Sequence, residues 1–185
     1  MRKILLLISM VFICTCVWGQ QSGGRGVMFG ITPWGKVGMR TTSNKQYYLT
    51  NKWSIKSPSY QIGYERHLGK YDMLLEAGYS KMTFQDRDGN DSITSGRFSF
   101  QAFPGYTILP GKRVQIPLYI GIGASIYNKS VGSNFYLDFG VRARLKVYLS
   151  NQIALYGGAF YMIGFGKNKS MENLYGVDAG ILFSF

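Results

Sequence analysis

The chain has 185 residues, 46% of them hydrophobic and only 16% charged, with a formal net charge of +12 and a mean hydropathy of −0.03. Its 14 Tyr, 12 Phe and 24 Gly favour extended, tightly turning chain over helix. This balance excludes intrinsic disorder, which needs few aromatics and low hydrophobicity, and a coiled coil, which would be rich in Ala, Glu, Lys and Leu.

Residues 1–19 read MRKILLLISMVFICTCVWG. Arg2 and Lys3 precede an apolar run, Ile4 to Val17, and Val17 and Gly19 stand at −3 and −1 of a cleavage before Gln20. This is the pattern of a secretory signal peptide, which leaves residues 20–185 as one domain. Two alternatives fit less well. A retained anchor needs an apolar run of ~20 residues, and lipidation at Cys16 expects a smaller residue than Thr15 before it. Both cysteines, Cys14 and Cys16, lie in this segment, so the exported domain has no thiol chemistry.

Beyond it the sequence alternates with period two in eight segments, the signature of strands. Segment one, near residues 26–40, sets Val27, Phe29, Ile31, Val37 and Met39 on one face, and Pro33 and Gly35 interrupt it with an expected bulge or bend. Segment two sets Tyr60, Ile62, Tyr64 and Leu68 against Gln61, Gly63, Glu65 and His67, with Arg66 breaking the apolar face. Segment three sets Tyr71, Met73, Leu75, Ala77 and Tyr79 against Asp72, Leu74, Glu76, Gly78 and Ser80. Segment four sets Phe98, Phe100 and Ala102 against Arg97, Ser99 and Gln101. Segment five runs from Val114 to Ile126, with Tyr119 and Tyr127 among its opposite face. Segment six has the highest contrast: Phe135, Leu137, Phe139, Val141, Ala143, Leu145 and Val147 against Asp138, Arg142, Arg144, Lys146 and Tyr148. Segment seven runs from Ile153 to Phe165, and segment eight alternates from Tyr175 to Phe185 with Asp178 on its polar face.

Connections alternate in length. Gly69-Lys70, Pro110-Gly111-Lys112 and Ser150-Asn151 are tight turns, whereas residues 41–57, 86–96, 128–133 and 167–172 read as longer polar loops. Asp86-Arg87-Asp88-Gly89-Asn90-Asp91 begins like a calcium loop but lacks the later acidic ligand, so it reads as a solvated hairpin loop with no metal.

Alternation alone leaves open which face is buried. The segments are longer than the ~5–6 residues of an average soluble strand. Nearly all their charges fall on one face, and the other face carries aromatic residues near both ends: Tyr60, Tyr79, Phe98, Phe135, Phe165 and Tyr175 near the loops, Phe29, Tyr71, Phe183 and Phe185 near the turns. That is a lipid-facing exterior with two interfacial belts and a polar interior. The expected fold is all-β: an eight-stranded antiparallel up-and-down transmembrane β-barrel.

The signal peptide and the terminal run from Tyr175 to Phe185, alternating and ending in Phe, resemble the small outer-membrane β-barrel proteins of Gram-negative bacteria, of the OmpX and OmpA-barrel type. The resemblance implies a bacterial outer-membrane location, a C-terminal signal read by the barrel assembly machinery, termini in the periplasm and long loops outside the cell.

Within such a barrel the lumen is just wide enough for side chains to fill. Glu65, Glu76, Asp138 and Asp178 face Arg97, Arg142, Arg144 and Lys146, and unpaired buried charge is costly. A paired network closing the barrel is expected, with Arg142 or Arg144 bridged to Glu65 or Glu76 and with Tyr119 and Tyr148 packed around the pair. A narrow anion path along Arg142, Arg144 and Lys146 is the alternative. The single histidine, His67, reads as a lumen packing group near a turn. No GxSxG, phosphate-binding loop or metal-spaced His/Cys cluster appears, so neither an enzyme nor a cofactor is called for. The first long loop carries Arg40, Lys45, Lys52 and Lys56 without an acid among them, interleaved with Tyr47, Tyr48 and Trp53. With a signal peptide ahead of it, this loop suits the phosphates of lipopolysaccharide and outer-membrane lipid, not nucleic acid. The reading is a structural or surface-interaction barrel with no catalytic residues. A barrel subunit of an envelope machine for secretion or conjugative DNA transfer is the alternative, and a lipid-modifying enzyme a third class.

Overall fold

The computed structural model describes residues 24–40, 48–49, 58–85, 92–131 and 133–185. Eight long strands follow one another: β1 (Arg25–Arg40), β3 (Ser59–Leu68), β4 (Tyr71–Gln85), β5 (Ser92–Ile108), β6 (Val114–Val131), β7 (Ser133–Tyr148), β8 (Ile153–Gly166) and β9 (Met171–Ser184). A two-residue strand, β2 (Tyr48–Leu49), and one 3-10 turn, Lys167–Lys169, complete the elements. Consecutive long strands pair antiparallel, and β1 pairs with β9 from Gly26↔Ser184 to Arg40↔Met171, closing the sheet into a barrel. Closure gives every long strand a neighbour on both sides, which satisfies backbone polar groups within the sheet as a bilayer demands. β3 is the shortest of the eight long strands, and β2 takes up the pairing beyond its end, against Gly38 of β1 and Gln85 and Phe84 of β4.

The period-two pattern now has a direction. Apolar side chains such as Ile62, Phe100, Ile120, Val141 and Ile181 are exposed on the outer wall, while the charged set lies inside. Aromatic rings gird the exterior at both levels. Trp34 packs on Tyr175 and Tyr79 on Phe98 toward the loop end, and Phe29 packs on Phe183 and Tyr71 on Tyr106 toward the turn end. Such amphipathic girdles mark the two membrane interfaces. The turns Gly69-Lys70 and Pro110-Gly111-Lys112 reverse the chain through Gly69 and Gly111, both at φ 73°, a left-handed conformation that only glycine adopts at no steric cost.

Segment one departs from its expected face. The β1–β9 ladder shifts register between Ile31 and Trp34, around Pro33. An extra residue at a bulge inverts the parity of everything after it. Phe29 and Ile31 face outward as expected, but Val37 and Met39 are buried in the lumen, and Trp34, Lys36 and Arg40 face out in their place.

Strand ends also differ from the expected loops. β4 and β5 stay paired out to Gln85↔Ser92, helped by the cross-strand Thr83–Thr94 hydroxyl contact at 3.0 Å. The connection expected at 128–133 is mostly strand, tied back by the single pair Val131↔Ser133, and β9 begins at Met171, four residues before Tyr175. In each case polar residues continue an alternation that hydrophobic contrast alone does not reveal.

Candidate functional site: the charged lumen

All eight charged residues expected in the lumen are buried there. They sort into three levels along the barrel axis.

At the middle level, Arg142 and Arg144 project inward from the same face of β7. Arg142 Nη1 donates to Glu76 Oε2 of β4 at 2.5 Å and lies 3.6 Å from Asp178 Oδ2 of β9. Arg144 Nη2 donates to the same Glu76 oxygen at 2.8 Å and to Asp178 Oδ2 at 2.5 Å, and its Nε adds a second bond to Asp178 at 3.0 Å. Both guanidinium planes also lie over rings. Arg142 Cζ is 4.7 Å from the Phe103 centroid and 5.3 Å from that of Phe160, and Arg144 Cζ is 4.5 Å from that of Tyr156. Weakly hydrated, planar arginine suits this combination of forked hydrogen bonds and aromatic faces. The Phe103 ring fits because a glycine stands beside it on the neighbouring strand: a Cβ on Gly121 of β6 would run into the ring.

Toward the loop end, Arg97 of β5 donates through Nη2 to Asp138 Oδ2 of β7 at 3.0 Å and to Glu172 Oε1 of β9 at 3.1 Å. Ser125 Oγ lies 3.2 Å from Asp138 and 3.1 Å from Glu172, and the Tyr127 hydroxyl donates to Glu172 Oε2 at 2.5 Å.

Toward the turn end, Lys146 Nζ and the Tyr119 hydroxyl both donate to Glu65 Oε1. His67 Nδ1 lies 2.5 Å from Asp72 Oδ1, the Thr107 hydroxyl donates to Asp72 Oδ2, and the Tyr148 hydroxyl is 3.4 Å from His67 Nε2. Among the described residues, Glu65, His67 and Asp72 form the group whose ligand atoms lie close enough, within 4.8 Å of one another, to hold a metal ion. A cavity of about 580 Å³ lined by His67, Gln115 and Tyr148 opens beside them.

The structure thus brings Arg142 and Arg144 onto Glu76, and it gives Glu65 to Lys146 instead. Tyr119 stands opposite Arg142 in the β6–β7 register and packs on Phe103 while its hydroxyl reaches Glu65, and Tyr148 sits beside His67 at the turn end. Asp178 meets Arg144 because the registers align Arg144, Gly158 and Asp178 across β7, β8 and β9. Two lumen carboxylates were absent from the expected network. Asp72 already shared the phase of Glu76. Glu172 shares the phase of Asp178 and Leu174, but it fell in the stretch expected to be loop. Of the basic loop set, Arg40 is exposed on the outer wall, while Lys45, Lys52 and Lys56 lie outside the described residues, as do residues 1–19 and 86–91.

A closed eight-stranded antiparallel barrel with an apolar, aromatic-girdled exterior and a filled, charged interior is an outer-membrane β-barrel, built to sit in that bilayer. Solved structures share this fold. The outer membrane protein OprG from Pseudomonas aeruginosa superposes with a TM-score of 0.62 at 9% identity, covering 90% of this chain and 98% of its own. Neisserial surface protein A gives 0.58 at 11% identity, covering 89% of this chain and 100% of its own. The N-terminal β-barrel domain of Pseudomonas aeruginosa OprF gives 0.51 at 15% identity, covering 89% and 98%. At these identities the likeness is one of fold. No protein-family profile and no curated protein sequence matches the chain.

Proposed function

We propose that the protein is a non-enzymatic outer-membrane barrel, closed by its own lumen charges, whose loop end presents a surface to lipopolysaccharide and to envelope partners. The observation that carries this reading is the middle-level clamp. Glu76 of β4 and Asp178 of β9 converge on Arg142 and Arg144 of β7, with Phe103, Phe160 and Tyr156 stacked on the guanidinium groups. These contacts tie separated parts of the wall together across the space an aqueous path would need.

The lipid-facing side is supported by Lys36, Arg40 and Lys81, exposed on the outer wall at and beyond the loop-end aromatic row. The basic residues Lys45, Lys52 and Lys56 of the first loop continue this set in sequence. Cations at that level attract lipid phosphates. His67, the one histidine, is engaged with Asp72 at the turn end, far from the loop-end interface where a lipid-modifying base would work.

Planar-bilayer recording of the refolded barrel tests closure. No steady, well-defined conductance is expected, and a stable open pore would overturn the reading in favour of the anion path. Loss of the protein should leave lipid A masses unchanged, and a changed mass spectrum would restore the enzyme class. A pull-down from detergent extract would show whether partners travel with the barrel.

A further inference from the structure

Asp72 Oδ1 sits 2.5 Å from His67 Nδ1. In the tautomer that gives the Nδ1 proton to this carboxylate, Nε2 is an acceptor, with the Tyr148 hydroxyl 3.4 Å away. Nε2 faces Glu65 Oε2 at 3.8 Å. That oxygen is buried and accepts no hydrogen bond, although the other oxygen of the same carboxylate takes two. In that tautomer two lone-pair atoms face each other across a gap too long for a direct hydrogen bond, and the Glu65 oxygen is the one left without a partner. Buried polar atoms are rarely left without a partner, and with His67 neutral the charge balance points the same way: Lys146 is bonded to Glu65, while Asp72 has only His67 and Thr107.

The width of the gap identifies what fits. Bonds of roughly 2.0–2.1 Å to an imidazole nitrogen and 2.0–2.2 Å to a carboxylate oxygen set the two ligand atoms about 3.4 Å apart at a tetrahedral angle and about 4.2 Å apart in line. The observed separation lies between these limits. We propose that His67 Nε2 and Glu65 Oε2 bind a divalent transition-metal ion of the zinc class, with Asp72 as the residue that positions the imidazole. Calcium and magnesium prefer sets made of oxygen alone, whereas imidazole with carboxylate suits zinc, copper or nickel. The cavity beside His67, Gln115 and Tyr148 supplies an entry path and water for the remaining coordination positions. The Tyr148 hydroxyl, 3.4 Å from Nε2, is placed to hold such a water. Asp72, His67 and the ion together form the carboxylate–histidine–metal relay that orients many protein-bound metals.

Tag-free barrel refolded in detergent tests this, with zinc titrated against a competing chromophoric chelator and cobalt(II) absorption as a second readout. One zinc per chain is expected to bind saturably, and cobalt to give visible bands that zinc displaces. His67→Ala should weaken binding at least 10-fold and abolish those bands. Asp72→Asn should weaken it by about 10–100-fold while keeping cobalt bands of altered position. Heat-modifiable migration reports whether each variant has folded. Because His67 is half-buried at the mouth and bonds only to neighbours of this cluster, His67→Ala carries the test if Glu65→Gln fails to assemble. Absence of saturable zinc binding, equal affinity of wild type and His67→Ala, or calcium binding as tight as zinc would each overturn the assignment.

Discussion

In the middle of the lumen two arginines meet two carboxylates. At either end the carboxylates outnumber the Lys and Arg: Arg97 meets Asp138 and Glu172, and Lys146 meets Glu65 while Asp72 is held by His67 and Thr107. Far from both mouths, a charge taken out of water has only protein to neutralise it, so the middle level balances within itself. At the ends the excess acid, as buried as the middle pair, is held by neutral donors, Ser125 and Tyr127 at one end and Tyr119 and Thr107 at the other. The middle neutralises its own charge, and the ends leave carboxylates in excess of Lys and Arg.

The strongest way to break this contrast is to empty the middle of cations. Arg142→Ala combined with Arg144→Ala leaves Glu76 and Asp178 buried without a partner, and removing one side of a buried pair costs about 3–5 kcal/mol. The urea midpoint in detergent should fall sharply and heat-resistant migration should be lost. A double variant as resistant as the wild type would mean the middle level is hydrated and carries no clamp.

A smaller and more diagnostic pair of effects compares single acids. Glu76 Oε2 accepts from both Arg142 and Arg144, so Glu76→Gln should cost on the order of 3 kcal/mol. Asp138→Asn should change stability by less than about 1 kcal/mol, because Arg97 keeps Glu172, the asparagine retains a carbonyl oxygen for Arg97, and a neighbouring like charge disappears. Matched unfolding curves of the two variants check the ranking. Equal losses would show that the end acids are as tightly committed as the middle ones.

How much of this could be read beforehand depends on where parity could be followed. Segments two to eight placed every quoted charge on its correct face, because side-chain direction in a strand is fixed by position alone and unbroken apolar partners such as Phe135 to Val147 anchor the count. The pairing of particular charges was legible only in part. Arg142 and Arg144 were expected to reach Glu65 or Glu76, yet which carboxylate sits opposite depends on stagger between strands, and nothing local encodes it. Glu172 was missed because Met171 to Leu174 lacks the hydrophobic contrast that marks a lipid-facing strand, although its phase agrees with Asp178. Segment one failed for a sharper reason. Pro33 signalled a bulge, but a proline says that the ladder breaks and not whether one residue or two are inserted, and that number decides every face from Trp34 onward.

The smallest expected effect tests that inversion directly. The sequence's two cysteines, Cys14 and Cys16, both precede the barrel, so single cysteines placed on β1 of protein refolded from residues 20–185 can carry a nitroxide label each. Before the bulge, Phe29→Cys should give a label strongly relaxed by oxygen, which concentrates in lipid. After it the parity reverses: Trp34→Cys should be lipid-exposed in the same way, and Val37→Cys, despite the odd number it shares with Phe29, should be shielded from oxygen and immobilised by the lumen. Stability should barely register the outward substitutions, and Val37→Cys should cost about 1 kcal/mol as a small loss of buried volume. The pattern of accessibility is therefore the measurement that matters. If Val37→Cys reports lipid and Trp34→Cys reports the interior, the strand runs without a net inversion. Lys36 and Arg40 would then turn inward, and the lumen charges would have to be counted again with both included.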